Sequence, residues 1–471
     1  MEQGVRLMKI LKFGGSSIAS PENIFHVKSI IEKYLHEKEK IACVFSAFEG
    51  VTDALMSMCM AAESRDDNYE IELKALEKRH LETVSELIDI TGQSRVMANV
   101  IYAFNELEDV LHGVYLVQEL TPKTTDFILS FGERLSANIM NEFLKQHIEV
   151  VEVLDTRGLI LTDENYTSAH VILEDTCRNI ESYFKEHHGL QIITGFLGAT
   201  RKGDTTTLGR GGSDYTAAIV GAALNASEIH LYTDVDGVMT ADPKKVNSAF
   251  LIESMSYDEA MEMSHFGAKV IYAPTIQPAL EHSIPIRIMN VFHPERHGTL
   301  ISEKPDKGKE FPICGISSVD EIALIRIQGS GMVGVVGIAG RLFSVLASEK
   351  INVILITQAS SEHSICFAID INEADRARTS IEDEFSLEMK ARKIDAISVE
   401  DSLSIIAVVG ENMRHTPGIA GKLFSALGST GINVVAIAQG SSELNISLVV
   451  DRKTQAAALN AIHESFFSNE I

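Results

Sequence analysis

Residues 12–17 read Lys-Phe-Gly-Gly-Ser-Ser and follow directly on the apolar run 7–11. The pattern predicts a buried strand that ends in a glycine turn with a lysine beside it. Glycine lets main-chain amides approach an anion, a following helix adds partial positive charge at its N-terminus, and Lys12 adds a full charge. The stretch therefore predicts a phosphate-binding turn in an α/β fold. A purely structural turn explains these six residues equally well when they are taken alone.

Apolar runs alternate with helix-like stretches on the C-terminal side of this turn, which is the pattern of an α/β sheet. The runs occupy residues 41–45, 150–154, 190–196, 228–232 and 284–289. From about residue 52 to 146 the pattern is helical throughout and predicts an insertion of helices. We predict one α/β domain over residues 1–303, with the insertion inside it.

A duplicated region follows the segment 301–312, whose Lys, Glu, Pro and Gly content suits a solvated linker. Fifteen residues of the first copy recur 81 positions later, among them Asn352 as Asn433 and Gln358 as Gln439. Each copy reads strand, glycine-rich turn, helix, strand, turn, strand, which is half of a ferredoxin-like βαββαβ sandwich. We predict two domains here, over 313–395 and 396–471, and leave open whether their boundaries interleave.

The composition restricts the class of protein. The 471 residues carry a formal net charge of −25, which opposes binding to nucleic acid and requires local cations for any anionic substrate. Because no apolar stretch is long enough to cross a membrane and the first residues do not resemble a secretory signal, we expect a cytoplasmic protein without a membrane partner. The five cysteines lack Cys-x-x-Cys spacing, so we predict neither disulfides nor a resident metal site.

Two further segments after predicted strands carry candidate binding residues. Arg210 stands among three glycines just before a predicted helix, and its forked donors match a carboxylate; the alternative is a flexible turn with a solvated arginine. Residues 233–237 read Thr-Asp-Val-Asp-Gly and suit a nucleotide with its metal, although Asp-Gly is also a common turn dipeptide. The motifs of P-loop proteins, protein kinases, zinc proteases and serine hydrolases are absent, so these cationic segments favour phosphoryl transfer.

Taken in order, five segments resemble the aspartokinases, a family of the amino-acid kinase superfamily. They are Lys-Phe-Gly-Gly-Ser-Ser at 12–17, Ser-Phe-Gly-Glu-Arg-Leu-Ser at 130–136, Thr-Thr-Leu-Gly-Arg-Gly-Gly-Ser-Asp-Tyr at 206–215, Thr-Asp-Val-Asp-Gly-Val at 233–238 and Phe-Gly-Ala-Lys at 266–269. The duplicated region resembles the paired ACT regulatory domains of that family. The resemblance covers nearly the entire chain and is greatest to threonine-sensitive enzymes and to the kinase half of aspartokinase-homoserine dehydrogenases.

The resemblance implies a fold and an activity. The fold is α/β, a carbamate kinase-like three-layer αβα sandwich, followed by a pair of ferredoxin-like ACT domains. The activity is transfer of phosphate from ATP, with Mg²⁺, to the side-chain carboxylate of L-aspartate, which gives 4-phospho-L-aspartate and ADP and begins lysine, threonine and methionine biosynthesis. An aspartate carboxylate has a pKa near ~3.9 and is ionised at neutral pH, so the attack needs no general base.

The resemblance also implies roles for single residues. The residues expected to act on the transferring phosphoryl group and its surroundings are Lys12, Gly14 and Gly15, with Asp214 orienting Lys12. The residues expected to bind aspartate are Ser46, Thr52, Glu133 and Arg210, with Glu133 at the ammonium and Arg210 at a carboxylate. Five further residues are expected to contact the nucleotide: Ser213, Thr233, Asp234, Lys244 and Lys269. Met239 and Lys244 depart from the tyrosine and arginine of many members, which leaves the adenine and phosphate contacts open.

In the duplicated region, the resemblance points to an inhibitory amino acid bound by Asn352, Gln358, Asn433 and Gln439, and to a homo-oligomer, dimer or tetramer, built through the ACT domains. The two glutamines favour threonine over lysine, because an amide partners a hydroxyl whereas an ammonium prefers a carboxylate. Two copies of a packing motif are the alternative. A glutamate or acetylglutamate kinase is the nearest other enzyme, disfavoured by Glu133 and Thr52, and a catalytically silent amino-acid sensor is disfavoured by Lys12, Arg210 and Asp214.

Overall fold

The computed structural model describes residues 7–267, 272–305, 311–332, 337–358 and 364–468. The chain divides into two compact units, the first made of Met1–Val238, Glu253–Tyr257 and Val270–Pro305, and the second of Met239–Ile252, Asp258–Lys269 and Asp306–Ile471. The end that we predict for the α/β domain, residue 303, is close to the last division. Two short segments of that predicted domain nevertheless belong to the second unit, because their side chains and backbone pack there. No helix among the described residues is long and apolar enough to span a bilayer.

Eleven of the strands that the structure describes belong to the first unit. They are β1 (Lys9–Phe13), β2 (Ile41–Phe45), β3 (Val151–Leu154), β4 (Leu161–Thr162), β5 (Leu190–Thr194), β6 (Leu197–Thr200), β7 (Thr205–Thr207), β8 (Glu228–Thr233), β9 (Ser254–Ser256), β10 (Ile286–Asn290) and β11 (Thr299–Ser302). Its helices are α1 (Pro21–His36), α2 (Val51–Glu63), α3 (Asn68–Leu87), α4 (Ile90–Val117), α5 (Pro122–Leu144), α6 (Leu173–Glu186), α7 (Gly212–Ala223) and α9 (Gln277–Glu281). Between α7 and α9 the chain forms α8 (Tyr257–His265). Helix α8 begins at the last residue of a first-unit segment and otherwise lies in the second unit.

The main sheet has the strand order β3-β5-β2-β1-β8-β10-β11-β9 and is parallel from β3 to β10. Phe13 of β1 packs in a core with residues of α1 and α5, whereas its neighbour Lys12 bonds to Asp214 of α7. Because adjacent strand residues point to opposite faces, helices cover both faces of the sheet. This confirms the predicted α/β layers, and it explains why β2 is apolar throughout and why Ile10, Leu11 and Phe13 of β1 are fully buried.

The stretch that we predict to be helical, 52–146, contains α2, α3, α4 and α5, joined by short loops. Helix α5 starts at a defined point because Pro122 stands in its first turn and the Thr121 hydroxyl accepts a hydrogen bond from the Thr124 amide. Most of α5 is buried, so it forms the inner helix of this group.

The second unit contains one antiparallel sheet of six strands in the order β13-β14-β12-β15-β17-β16. The strands are β12 (Gly315–Gln328), β13 (Leu355–Gln358), β14 (Ser364–Asp370), β15 (Ala396–Val409), β16 (Ala436–Ala438) and β17 (Asn445–Asp451). The helices are α10 (Ile338–Ser348), α11 (Ala374–Glu384), α12 (Ser386–Lys390), α13 (Ile419–Ser429) and α14 (Gln455–Phe467). The duplication is visible in the matching helices α10 and α13, each of which follows a glycine with positive φ, Gly337 and Gly418.

Strands β12 and β15 each serve both copies of the repeat. The C-terminal half of β12, with Ile325, packs in the core of the first copy, whereas Ile316 in its N-terminal half packs in the core of the second. Conversely, Ile397 of β15 lies in the core of the first copy and Ile406 in that of the second. The first copy is therefore inserted into the second along the chain. The boundary that we predict between residues 395 and 396 falls just before β15, so it separates the first copy from a strand segment that packs in its core.

Candidate active site

A cavity of about 540 Å³ opens in the first unit beside the ends of β1 and β2 and the start of α7. Eight of the residues that the sequence singles out line it: Lys12, Gly15, Ser46, Thr52, Glu133, Arg210, Ser213 and Asp214. The residues that follow β1 and β2 come together because the carboxyl ends of parallel strands meet at one edge of a sheet. Glu133 reaches the cavity from helix α5, and Arg210, Ser213 and Asp214 reach it from the start of α7 and the loop before it. The cavity thus combines two cations, Lys12 and Arg210, with hydroxyl groups and four acidic side chains, those of Glu49, Asp53, Glu133 and Asp214, in a space suited to a small ligand.

The glycine turn after β1 packs directly against the loop after β2. The Gly14 amide donates to the Tyr232 carbonyl at 3.2 Å, and a short 3-10 helix over Ser16–Ile18 follows. A Cβ atom on Gly15 would lie 3.1 Å from the Ala47 carbonyl oxygen and 3.3 Å from the Glu49 Cα. A side chain at position 15 would therefore push the two loops apart by a few tenths of an ångström, so glycine suits their close approach in addition to any contact with an anion.

The ammonium of Lys12 is held by a carboxylate of helix α7. Lys12 Nζ lies 2.6 Å from Asp214 Oδ1, and the two side chains are only 13% and 19% exposed. Asp214 occupies the first turn of α7, which starts after Gly211 at φ 70°. The pair fixes a positive charge at the cavity wall, next to the N-terminus of a helix, which is where an anion is stabilised.

Glu133 is a buried carboxylate at the opposite wall, on helix α5. Its Oε1 accepts a hydrogen bond from the Ala47 amide at 3.1 Å, and one turn later the Ser136 hydroxyl donates to the Ser46 carbonyl at 2.7 Å. Burial raises the pKa of Glu133 to about 8, although the Ala47 amide and the charge of Lys12 favour its ionised form. A ligand that brings a positive charge next to Glu133 would restore its ionisation.

Arg210 projects from a loop whose backbone is set by glycines. Gly209 and Gly211 have φ of 73° and 70°, and a Cβ on Gly211 would lie 2.9 Å from the Cβ of Tyr272. The guanidinium carbon lies 6.0 Å from the centre of the Tyr272 ring, and it has no carboxylate partner among the residues that the structure describes. Arg210 is exposed and its charge is available to an anion.

Of the other residues predicted to contact the nucleotide, Thr233, Asp234 and Lys244 do not line this cavity. Thr233 ends β8, and its hydroxyl donates to the Asp234 side chain at 3.0 Å. Lys244 belongs to the second unit, where its amide donates to the Asp242 side chain at 2.9 Å. Lys269 lies outside the described residues.

The four predicted effector residues are all exposed in the second unit. Gln358 is the last residue of β13, and Gln439 follows β16. These edge strands meet, because the Thr357 hydroxyl donates to the Ile437 carbonyl at 3.1 Å. The matching ends of the two copies therefore lie close together.

Sequence reasoning missed Asp126, Thr167 and Thr207. Both threonines line the cavity, and Asp126 is fully buried behind them, where it accepts hydrogen bonds from both of their amides. The available signal was spacing, because Asp126 precedes Glu133 by seven residues and so shares its face of α5. In the described part of the chain, no group of three or more His, Cys, Asp or Glu side chains is placed to hold a metal ion.

Comparison with known proteins agrees with this geometry. The amino acid kinase family model matches residues 8–290, and an ACT domain model matches 325–385 and 406–466. The chain is 35% identical to a chloroplastic bifunctional aspartokinase/homoserine dehydrogenase 2 of Arabidopsis thaliana, over 98% of this chain and 51% of that protein. It is 33% identical to the chloroplastic aspartokinase 1 of the same plant, over 98% of this chain and 80% of that protein. The chain spans about half the length of the bifunctional relatives it matches.

Solved structures of E. coli aspartokinase III are similar over 98% of this chain and 100% of theirs, at 26% sequence identity. The TM-score is 0.82 for the complex with aspartate and ADP, described as the R-state, and 0.76 for the complex with lysine and aspartate, described as the T-state.

Proposed function

The chain belongs to the amino acid kinase family, and within it to the aspartokinases, and from this we propose that it phosphorylates the side-chain carboxylate of L-aspartate with ATP. The products are 4-phospho-L-aspartate and ADP. As the first step toward lysine, threonine and methionine, the reaction would take place in the cytoplasm.

One observation carries the proposal: Lys12, Glu133 and Arg210 surround a single cavity. Aspartate has an ammonium and two carboxylates, which Glu133, Arg210 and Lys12 complement one by one. With Arg210 on the α-carboxylate and Glu133 on the ammonium, the side-chain carboxylate faces the glycine turn beside Lys12. A buried carboxylate and a forked guanidinium are strong partners for such groups.

The chemistry needs positioning and charge neutralisation more than it needs proton transfer. A side-chain oxygen of aspartate attacks the γ-phosphorus, the bond from that phosphorus to the β,γ-bridging oxygen breaks, and its electron pair leaves with ADP. Lys12 and the Gly15 amide offset the repulsion between carboxylate and triphosphate, while Gly14, whose amide is bonded to the Tyr232 carbonyl, lets the turn approach the phosphate. Asp214 keeps the Lys12 ammonium at 2.6 Å and so prevents it from turning to solvent.

We assign the nucleotide to Ser213, Thr233, Asp234, Lys244 and Lys269, with Met239 and Lys244 in place of the tyrosine and arginine of many aspartokinases. Mg²⁺ would enter with ATP and take most of its oxygen ligands from the phosphates and water, as this ion commonly does. Asp214 and Asp53 are the aspartates of the cavity wall that offer further oxygen atoms.

For regulation, we propose that an amino acid binds near Asn352, Gln358, Asn433 and Gln439 in a homo-oligomer and shifts the kinase between two conformations. Threonine is the preferred inhibitor, on the basis of the glutamine amides. Lysine, which is bound in one structure of the E. coli enzyme, is the alternative.

A coupled assay of ADP release tests both proposals. We expect turnover with L-aspartate and none above background with L-glutamate or N-acetyl-L-glutamate, and inhibition by threonine rather than by lysine when each is titrated alone and together. Turnover with glutamate but not aspartate would contradict the substrate, and amino-acid binding without any ADP release would favour the silent sensor. Inhibition by lysine alone would reassign the effector without affecting the reaction.

The raised pKa of Glu133 predicts how substrate affinity depends on pH. Since Glu133 must be ionised to hold an ammonium and its pKa is about 8 without substrate, the KM for aspartate should fall as pH rises from about 6.5 toward 8.5. Below pH 8 the expected change approaches tenfold per pH unit, a limit set by single-proton binding. The measurement is KM at constant ionic strength. The Glu133→Gln variant, which has no proton to lose, should show a high and flat KM, and an equally steep profile in that variant would contradict the assignment.

A further inference from the structure

We propose that Asp126 is a positioning residue that holds the Arg210 loop at the correct distance from Glu133, and so adapts the cavity to the length of the amino-acid substrate. This inference rests on the proposed function. It starts from a side chain that touches no substrate and yet bonds to two loops of the cavity.

Asp126 has 0% exposure and both of its oxygens are engaged. The Thr167 amide donates to Oδ1 and Oδ2 at 3.0 and 2.9 Å, the Thr207 amide donates to Oδ2 at 3.0 Å, and the Thr207 hydroxyl donates to Oδ1 at 2.6 Å. A carboxylate this deeply buried is stabilised only by such donors. The three donor groups belong to two separate segments, which Asp126 therefore ties together.

These two segments form the cavity wall from which Arg210 projects. Thr207 ends β7 and stands three residues before Arg210, and the Ala169 amide donates to the Thr207 carbonyl at 3.0 Å. A Cβ on Gly209 would lie 3.2 Å from the Ser168 hydroxyl, so the loops touch directly. Thr167 adopts φ 71°, a conformation that a β-branched residue holds only when its surroundings impose it. The bonds from Asp126 to the Thr167 amide provide that constraint.

Helix α5 carries both ends of this arrangement. Asp126 and Glu133 are seven residues, or two turns, apart on one face of the helix. Glu133 reaches the ammonium position directly, whereas Asp126 sets the carboxylate position through the Arg210 loop. The separation of the two positions is thus fixed by one rigid element, which is how a site discriminates aspartate from an amino acid longer by one methylene.

The test compares Asp126→Asn with the wild type in the full-length protein. The asparagine amide has nearly the size of the carboxylate, but its NH₂ group faces backbone amides that donate hydrogen bonds to Asp126. We expect KM for aspartate to rise roughly 10- to 100-fold, KM for ATP to change less than about twofold, and the preference for aspartate over glutamate to fall. Thr207→Val, which removes only the hydroxyl, should change the same quantities in the same direction by a smaller factor. Thr125→Val is the matched control, because its buried hydroxyl bonds within α5 to the Thr121 carbonyl.

An unchanged KM for aspartate in folded Asp126→Asn, or equal increases for aspartate and ATP, would overturn the inference. If Asp126→Asn does not fold, Thr207→Val decides by the same criteria. Failure of the proposed function would be distinguishable, since the wild type would then release no ADP with aspartate.

Discussion

We expect Lys12→Ala to lower kcat by about 100- to 1000-fold, the range for removing one preorganised group that stabilises developing charge. The lysine ammonium lies 2.6 Å from Asp214 and offers the positive charge nearest to the glycine turn. Without it, the aspartate carboxylate and the γ-phosphate repel each other, and Asp214 adds a further unpaired negative charge. The measurement is ADP release at saturating aspartate and ATP, together with effector binding, which should be nearly unchanged, and a thermal unfolding curve, which should remain cooperative with a lower midpoint because Asp214 has lost its partner.

Lys9→Ala is the matched control for this variant. Lys9 lies on the same strand, points to the opposite face and pairs with Glu39 at 3.8 Å, away from the cavity. We expect it to retain kcat within about twofold, as for loss of a partly exposed ion pair. Undiminished turnover in a folded Lys12→Ala protein would refute the assigned role of Lys12.

The second large effect is expected at Arg210. Arg210→Ala should raise KM for aspartate by at least about 100-fold, because hydrogen bonds to charged groups each contribute roughly 1.5–3 kcal/mol and the fork supplies two, which gives about 3 kcal/mol at the lower end. Arg210→Lys should recover only part of this, since a point charge cannot bind a carboxylate through two parallel bonds. Initial rates as a function of aspartate concentration, at fixed ATP, measure both variants.

Arg201→Ala controls for loss of a positive charge in this part of the chain. Arg201 is exposed, pairs with Asp175 at 2.5 Å and does not line the cavity. Its KM for aspartate should stay within about twofold of the wild type. A rise in KM for ATP rather than aspartate in Arg210→Ala would move Arg210 to the nucleotide side of the reaction.

The strands and the residues at their ends are predictable from the sequence because both signals are local. Lys12 stands beside glycines at the end of the apolar run 7–11, and Arg210 stands among three glycines just before the N-terminus of helix α7. Asp126 carries no local signal of this kind. It sits inside a helix among apolar residues, and its partners Thr167 and Thr207 are 41 and 81 positions away.

The division into units was harder to predict for a related reason. The segment that carries Asp242 and Lys244 follows a strand of the main sheet in sequence, but Thr240 bonds to His463 of α14 at 2.9 Å. Likewise, β12 and β15 are each one continuous strand, although their two halves pack in different cores. Sequence periodicity indicates which face of a strand is buried, but not which core it enters.

The strand arrangement of the duplicated region limits how that region could be taken apart. Because β12 and β15 each contribute to the cores of both copies, cutting the chain between the copies would take from each copy the strand segment that the other supplies and would leave unpaired edges. Neither copy can therefore be moved alone into another protein. A chimaera that exchanges effector specificity has to exchange both copies together. Although the two copies are similar in sequence, neither has a complete core of its own, and the stability of each depends on the other.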